Sequence, residues 1–350
     1  MEFDRTRLDV LPLSSRQSKS SIEHIAINPD MLMQTENLET ITRISNAIIQ
    51  AKKNHRPVIL AFGAHLIKNG LSLVLRKLIE EGYITHLATN GAGSIHDWEL
   101  SFLGKTEEDV RAYVTQGQFG IWDETGKYIN LALIAGANQR KGYGESVAGL
   151  IFEDSVSIPE EVFQDKTLAE KLSNRGIKPG TLRVNHQFKR FSIQECAFRN
   201  HVPFTVHPGF GYDIIYTHPL SHGASVGTCS EIDFLRFVDS VSKLEGGVYL
   251  SVGSAIMSPM VFEKSLSMAR NIARQENKKI TDFMIAVNDI QEGNWDWNSG
   301  KEPGKDSPAY YLRFCKSFNR MGARELYYVQ EDNRKFLLNL YQCLKKSNSV

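Results

Sequence analysis

The residues best suited to chemistry in this chain are glycines, carboxylates and histidines that follow apolar runs able to form sheet strands. In ITHLATNGAGSIHDW, residues 84–98, such a run leads into Asn90, Gly91, Ala92 and Gly93, then into His96 and Asp97. Backbone amides in such a turn, with a helix dipole starting just after it, can cradle phosphate. The plainer alternative is a tight turn with a packed histidine. The spacing is G-x-G-x-x-H, whereas the dinucleotide fingerprint keeps a third small residue where His96 stands.

Three further clusters also fall at expected strand ends. HPGFGYDIIYTHPLSHG carries His207, Asp213, His218 and His222. Asp213, directly after a glycine-rich stretch, suits a cationic or hydroxylated ligand or a turn-capping role. Pro219 argues against His218 and His222 sharing one regular helix as metal ligands, and no H-E-x-x-H pattern is present. In GGVYLSVGSAI, Gly253, Ser254 and Ala255 end a strand and can bring backbone close to a bound ring or pack as a tight turn. In VNDIQEGNWDWNSGKEPG, Asn288 and Asp289 end a strand before a loop with Trp295, Asp296 and Trp297. Aromatics beside carboxylates can hold an organic cation or anchor a long loop.

Several chemistries are disfavoured. There is no G-x-S-x-G elbow and no Walker sequence. Cys196, Cys229, Cys315 and Cys343 form no C-x-x-C pair, so no metal centre is expected. Lysine and arginine number 41 against 40 aspartates and glutamates, a formal net charge of +1, which gives no field to recruit nucleic acid. No membrane span or signal-peptide h-region is written in the sequence, so a cytoplasmic protein without membrane or nucleic-acid partners is expected.

The elements that must position these clusters read as strand–helix–strand units. Leu38, Ile41, Ile44, Ile48 and Ile49 recur at helical spacing within 37–54. VILAFG at 58–63 follows as a strand, LIKNGLSLVLRKLIEEG as a helix, and the strand at 84–88 as its parallel neighbour. VPFTVH, DIIYTH, VYLSVGS, DFMIAVND and ELYYVQ read as later strands, with helical patterns between several of them. The fold class is therefore α/β, a Rossmann-like, mostly parallel sheet with helices on both faces. Residues 1–35, polar and serine-rich, read as an extended or partly mobile arm. Residues 36–345 read as one domain with a helical insertion around 105–195.

Taken in order, LATNGAGSIHDWELSFLG, FRNHVPFTVHPGFGYDIIY, EGGVYLSVGSAIMSPMVFEKSLSMARN and KKITDFMIAVNDIQEG resemble deoxyhypusine synthase, in particular a bacterial branch of a superfamily that includes homospermidine synthases. The resemblance covers about residues 55–345. It implies bound NAD, a homotetramer, and a small amine or polyamine substrate whose aminobutyl group passes through an imine to an amine acceptor. It also implies that Asn90, Gly91, Ala92, Gly93 and Asp97 contact NAD, with Gly253, Ser254 and Ala255 in a second glycine turn near the cofactor and Asn288, beside Asp289, at the next strand end. Asp213 would hold the polyamine.

Two departures fall on catalysis. The family's Trp-Gly-Lys motif is replaced by SPAYYLRFCKSFNRMGARELYYV, where Lys316 has neither Trp nor Gly before it. The family's histidine after the second glycine turn has no counterpart, since SPM stands at 258–260. A Schiff-base lysine must be uncharged and desolvated, so Lys316 would need such a setting. His96, His207 or His222 can otherwise move protons near neutral pH. An oxidoreductase or lyase without a lysine adduct, and a nucleotide-binding sensor or structural oligomer without turnover, are the competing readings.

Overall fold

The computed structural model describes residues 3–347. The chain forms two compact units. One combines the segment up to Ile25 with Asn90–Asp233, and the other combines Ala26–Thr89 with the residues from Phe234 onward.

The second unit is a parallel α/β layer structure. Its strands are β1 (Val58–Phe62), β2 (His86–Thr89), β3 (Val248–Val252), β4 (Met284–Asp289) and β5 (Glu325–Gln330). They lie side by side in the order 2-1-3-4-5, with every neighbouring pair parallel. Residues of β1 and β3 are buried throughout, as expected of interior parallel strands covered on both faces. Ile59, Ala61, Tyr249, Ile285 and Val287 pack with Phe237, Phe262, Leu266 and Phe318 in one core. Helices Leu38–Lys53, Ser72–Glu80 and Asn333–Ser347 pack together as a separate layer. The single helix expected over 66–82 is broken into His65–Lys68 and Ser72–Glu80. Gly70 at φ +78° makes the break.

The first unit is built around helix Gly91–Leu103, which is buried on nearly every side. A helix this enclosed must satisfy its polar side chains internally. Ser94 donates to Gln194 at 2.7 Å, and Ser101 donates to the Trp98 carbonyl at 2.7 Å. Around it stand helices Asp123–Asn138, Tyr143–Glu153 and Ile193–Arg199, and a hairpin pairing Ser155–Ile158 with Gly180–Arg183. The hairpin was not expected from the sequence. DIIYTH, expected as a strand, instead contains a short 3-10 turn, Ile214–Tyr216. Asn130 donates to the Ile215 carbonyl at 2.9 Å, and the Thr217 hydroxyl donates to the Ile214 and Gly120 carbonyls. These bonds use the groups that a strand ladder would need.

Part of the segment expected as an arm is packed. Leu13 and Ile22 are fully buried, and Ser20–Ser21 pairs antiparallel with Lys105–Thr106. Arg16 makes a bidentate pair with Glu99, both bonds 2.8 Å, with both side chains buried. Thr106 and Thr125 donate to the same carboxylate. Burial opposes the charge on Glu99, but the Arg16 guanidinium outweighs it and holds the carboxyl below its usual range. Removing one partner of a buried pair strands the other charge. Arg16→Met is therefore expected to cost about 3–5 kcal/mol in urea unfolding near neutral pH. Because the folded pKa of Glu99 is depressed, the stability lost in the variant is stability that wild type itself loses as pH falls through the carboxylate range.

Among the described residues no helix is long and apolar enough to cross a membrane.

Candidate functional site

In the first unit the Asn90–Gly93 stretch is the first turn of helix Gly91–Leu103. Asn90 is its N-cap and accepts a 2.9 Å hydrogen bond from the Gly93 N–H. The carboxylate of Asp213 lies against Gly91. A Cβ built on Gly91 would stand 2.2 Å from Asp213 Oδ2 and 2.7 Å from Oδ1. Glycine is thus required here by the carboxylate, not by turn geometry. The Gly209 and Ala92 N–H groups donate to Asp213.

Those bonds leave Asp213 Oδ2 buried and without a partner among the described residues. Burial outweighs the two N–H donors and pushes the carboxyl up to about 6. The hydroxyls of Tyr143 and Tyr216 are also buried without partners. Tyr143 is fully buried and Tyr216 nearly so. Both are driven well above the ordinary tyrosine range, first by burial and then by the Asp213 charge, and Tyr216 acts on Tyr143 as well. Asn130 fixes the turn that carries Asp213 and Tyr216. Asp233 fixes Tyr143 from behind, accepting 2.8 Å hydrogen bonds from the Gly144 and Val206 N–H groups.

The other expected residues of this unit have partners within the chain. Asp97 is buried and accepts from Ser192 Oγ at 2.6 Å, from the Ile193 and Gln194 N–H groups, and from Gln194 Nε2 at 3.0 Å. It caps the start of helix Ile193–Arg199. His96 Nδ1 lies 2.7 Å from Thr106 Oγ1. His207 Nε2 lies 3.1 Å from Thr205 Oγ1, and burial holds the His207 imidazole down to about 4, neutral at pH 7. His222 is paired with Ser225 at 2.8 Å and is lowered by burial and by the Lys171 charge. Among the described residues no group of three His, Cys, Asp or Glu side chains is placed to hold a metal ion.

In the second unit the strand order reverses between β1 and β3. Sheets of order 2-1-3-4-5 hold ligands at that switch point, beyond the carboxyl ends of the strands. Gly63 follows β1 and Gly253 follows β3. The Gly63 N–H donates to the Val252 carbonyl at 3.2 Å, and a Cβ on Gly63 would stand 2.1 Å from the Gly253 oxygen. Gly253 has φ +58°. Ser254 Oγ accepts from the Ser258 N–H, and Ala255 is exposed. Asn288 is the penultimate residue of β4, and its Nδ2 donates to the Val329 and Glu331 carbonyls, clamping the end of β5. Its Oδ1 is buried without a partner. Asp289 caps the turn at Gln291.

Trp295, Asp296 and Lys316 also lie in this unit. The Trp295 indole N–H donates to the Lys301 carbonyl, and exposed Asp296 accepts from the Asn298 N–H, so both help close their own loop. Lys316 Nζ sits 3.8 Å from the centre of the Tyr310 ring.

Comparison with family profiles and with curated protein sequences finds no match. Among solved structures, a conserved candidate LOR/SDH protein from Methanococcus maripaludis S2 aligns with 97% of this chain and 77% of its own, at 13% identity and a TM-score of 0.49. The ternary complex of AgrE with ornithine and NAD+ aligns with 91% of this chain, at 13% identity and a TM-score of 0.44. The match spans only 35% of the AgrE chain. A candidate deoxyhypusine synthase from Entamoeba histolytica aligns with 89% of this chain and 90% of its own, at 9% identity and a TM-score of 0.40.

The residues fit a dinucleotide unequally. At the start of helix Gly91–Leu103 the Ala92 and Gly93 N–H groups are already used, and the carboxylate of Asp213 stands where a phosphate would sit. Two anions on the same donors would repel, so this turn does not suit a diphosphate. The switch point of the second unit fits better, because backbone is free of Cβ at Gly63 and Gly253 and Asn288 Oδ1 lacks a donor. Gly63, Tyr143 and Tyr216 were not singled out from the sequence. A glycine ending an apolar strand signals the first; nothing local signals the tyrosines.

Proposed function

We propose that the chain is an NAD-dependent enzyme acting on a small primary amine. The observation that carries this reading is Asp213 Oδ2, a buried carboxylate oxygen with no partner. A buried carboxylate is costly unless a cation meets it, and a protonated amine is such a cation. Gly63, Gly253, Ser254 and Asn288 would hold the dinucleotide, and its nicotinamide supplies a hydride acceptor when bound. The turn Asn90–Gly93 serves chiefly to seat Asp213.

Oxidation of the bound ammonium would remove hydride from the carbon bearing nitrogen and one proton from nitrogen, which the Asp213 carboxylate can accept. The resulting iminium ion would take up water and release an aldehyde and an ammonium ion. Transfer of an aminobutyl group would instead need a neutral lysine nucleophile. Lys316 Nζ is instead engaged over the Tyr310 ring in a cation–π contact. That observation favours oxidation without a lysine adduct over butylamine transfer through Lys316.

The test is NADH formation by the full chain with a panel of primary amines, with calorimetry for NAD itself. Amine-dependent NADH and a free aldehyde are the expected result. Failure to bind NAD, or binding without turnover of any amine, overturns the reading and leaves a nucleotide sensor or a scaffold. Lys316→Met is expected to keep at least half of the wild-type rate. Loss of a hundredfold or more, with recovery of an amine-modified acceptor in wild type, would restore the transferase.

A further inference from the structure

We propose that the first unit carries a second ligand site, for an aromatic carboxylate, at the far end of helix Gly91–Leu103 from Asp213. The two ends of that helix lie roughly 18 Å apart at 1.5 Å per residue. A cavity of about 330 Å³ opens at the far end, within the size range of small-molecule sites. Its apolar walls are aromatic. Phe102 stacks on Trp98 with ring centres 4.9 Å apart, and Tyr128 stands beside Phe102 at 5.9 Å. Phe188 lies on the helix end, where Gly104 has φ +70° and a Cβ would stand 2.8 Å from Phe188 Cζ.

The polar wall comes from one pinned segment. The Val184 N–H donates to the Asp154 carbonyl at 2.9 Å, the His186 N–H to Asp154 Oδ1 at 3.0 Å, and the Phe188 N–H to the Ser101 carbonyl at 2.9 Å. Burial alternates along it: Val184 and His186 are buried, while Arg183, Asn185 and Gln187 are exposed and line the cavity. These three side chains make no hydrogen bond or ion pair among the described residues. Arg183 is the one charged residue lining the cavity, so no carboxylate there opposes an anion. A guanidinium fork matches a carboxylate with two parallel hydrogen bonds, and the two amides can donate as well. A small aliphatic acid would leave the aromatic walls unfilled, and a neutral ring would leave Arg183 unpaired. A ring bearing a carboxylate satisfies both.

The experiment is calorimetric titration of the full chain with 2-naphthoate, its neutral counterpart 2-naphthalenemethanol, and acetate, for wild type, Arg183→Gln and Arg183→Lys. Wild type is expected to bind naphthoate about tenfold or more tightly than either other probe. Arg183→Gln should weaken naphthoate about tenfold or more and leave the alcohol unchanged, and Arg183→Lys should recover only part of the loss, because an ammonium cannot form the fork. Both variants should melt at the wild-type temperature, since the exposed Arg183 side chain has no partner to lose. Bound naphthoate should also slow amide hydrogen exchange in residues 183–188. Saturating butylamine should leave naphthoate affinity unchanged, so failure of the amine reading does not touch this result. No naphthoate binding at millimolar concentration, equal affinity for naphthoate and acetate, or binding indifferent to Arg183→Gln overturns the proposal. Competition by butylamine overturns it too, because the two sites would then be one.

Discussion

Asp213→Asn is expected to abolish amine binding and, at pH 7, to make the protein more stable. The two effects have one cause. The carboxylate of Asp213 is buried against Gly91 with two N–H donors and a bare Oδ2. Its carboxyl is raised from 3.8 to about 6, so the folded protein holds this proton more tightly than the unfolded chain does. Stability from this group is then full below the unfolded value and falls as pH rises through the folded one. The cost at pH 7 is at most about 3 kcal/mol, from two pKa units at 1.36 kcal/mol each. Asparagine has the same shape and keeps an oxygen for the Ala92 and Gly209 N–H groups, but carries no charge.

Urea unfolding of both proteins at pH 4 and pH 7 checks the stability half. The variant should gain little at pH 4 and up to that amount at pH 7. A variant less stable than wild type at pH 7 would mean that the charge has a structural counterion. For binding, wild-type amine affinity should decline as pH drops below about 6, since the carboxylate must be ionised to pair. The variant should show no such dependence because it should not bind. Saturating amine should narrow the stability gap at pH 7 by stabilising wild type alone.

The second large effect is expected at Gly63. Alanine there would place Cβ 2.1 Å from the Gly253 carbonyl oxygen and 3.2 Å from its carbon. Backbone cannot rotate away as a side chain can, and both glycines end adjacent parallel strands. We expect Gly63→Ala to cost about 3 kcal/mol or more and to abolish dinucleotide binding. Gly227→Ala is the companion. Gly227 lies in helix Gly223–Ser242, and nothing stands within 4 Å of an added Cβ. It should gain about 0.5–1 kcal/mol from helix propensity. Equal effects at the two sites would show that the β1–β3 approach is looser than the glycine pair implies.

The strands of the sheet were legible because parallel strands covered on both faces must be apolar along their length, as VILAF and VYLSV are. DIIYTH holds an apolar run, Ile214–Tyr216, but forms a 3-10 turn whose carbonyls accept from Thr217, within the run's own segment, and from Asn130, far from it in sequence. The clusters at strand ends were legible for a mechanical reason, since ligands gather there. What the pattern could not show was which glycine spared room for what. Gly91 reads as a phosphate-turn glycine until Asp213, more than a hundred residues later, is found against it. Asp97 reads as a ligand contact, yet its oxygens are taken by Ser192, Ile193 and Gln194. Tyr143 lies in a glycine-rich region with no period of its own, and only packing reveals its bare hydroxyl.

The interleaving of the two units sets a timetable for synthesis. Strand Val58–Phe62 leaves the ribosome roughly 190 residues before its neighbour Val248–Val252. At 5–20 residues per second the wait is on the order of 10–40 s. The unit around helix Gly91–Leu103 can finish first, because its last residue precedes that neighbour. During the interval Val58–Phe62 presents an unpaired, wholly apolar edge. Such an edge is a template for pairing with another nascent chain, so the yield of folded protein should depend on translation rate more steeply than the stability of the finished molecule would suggest.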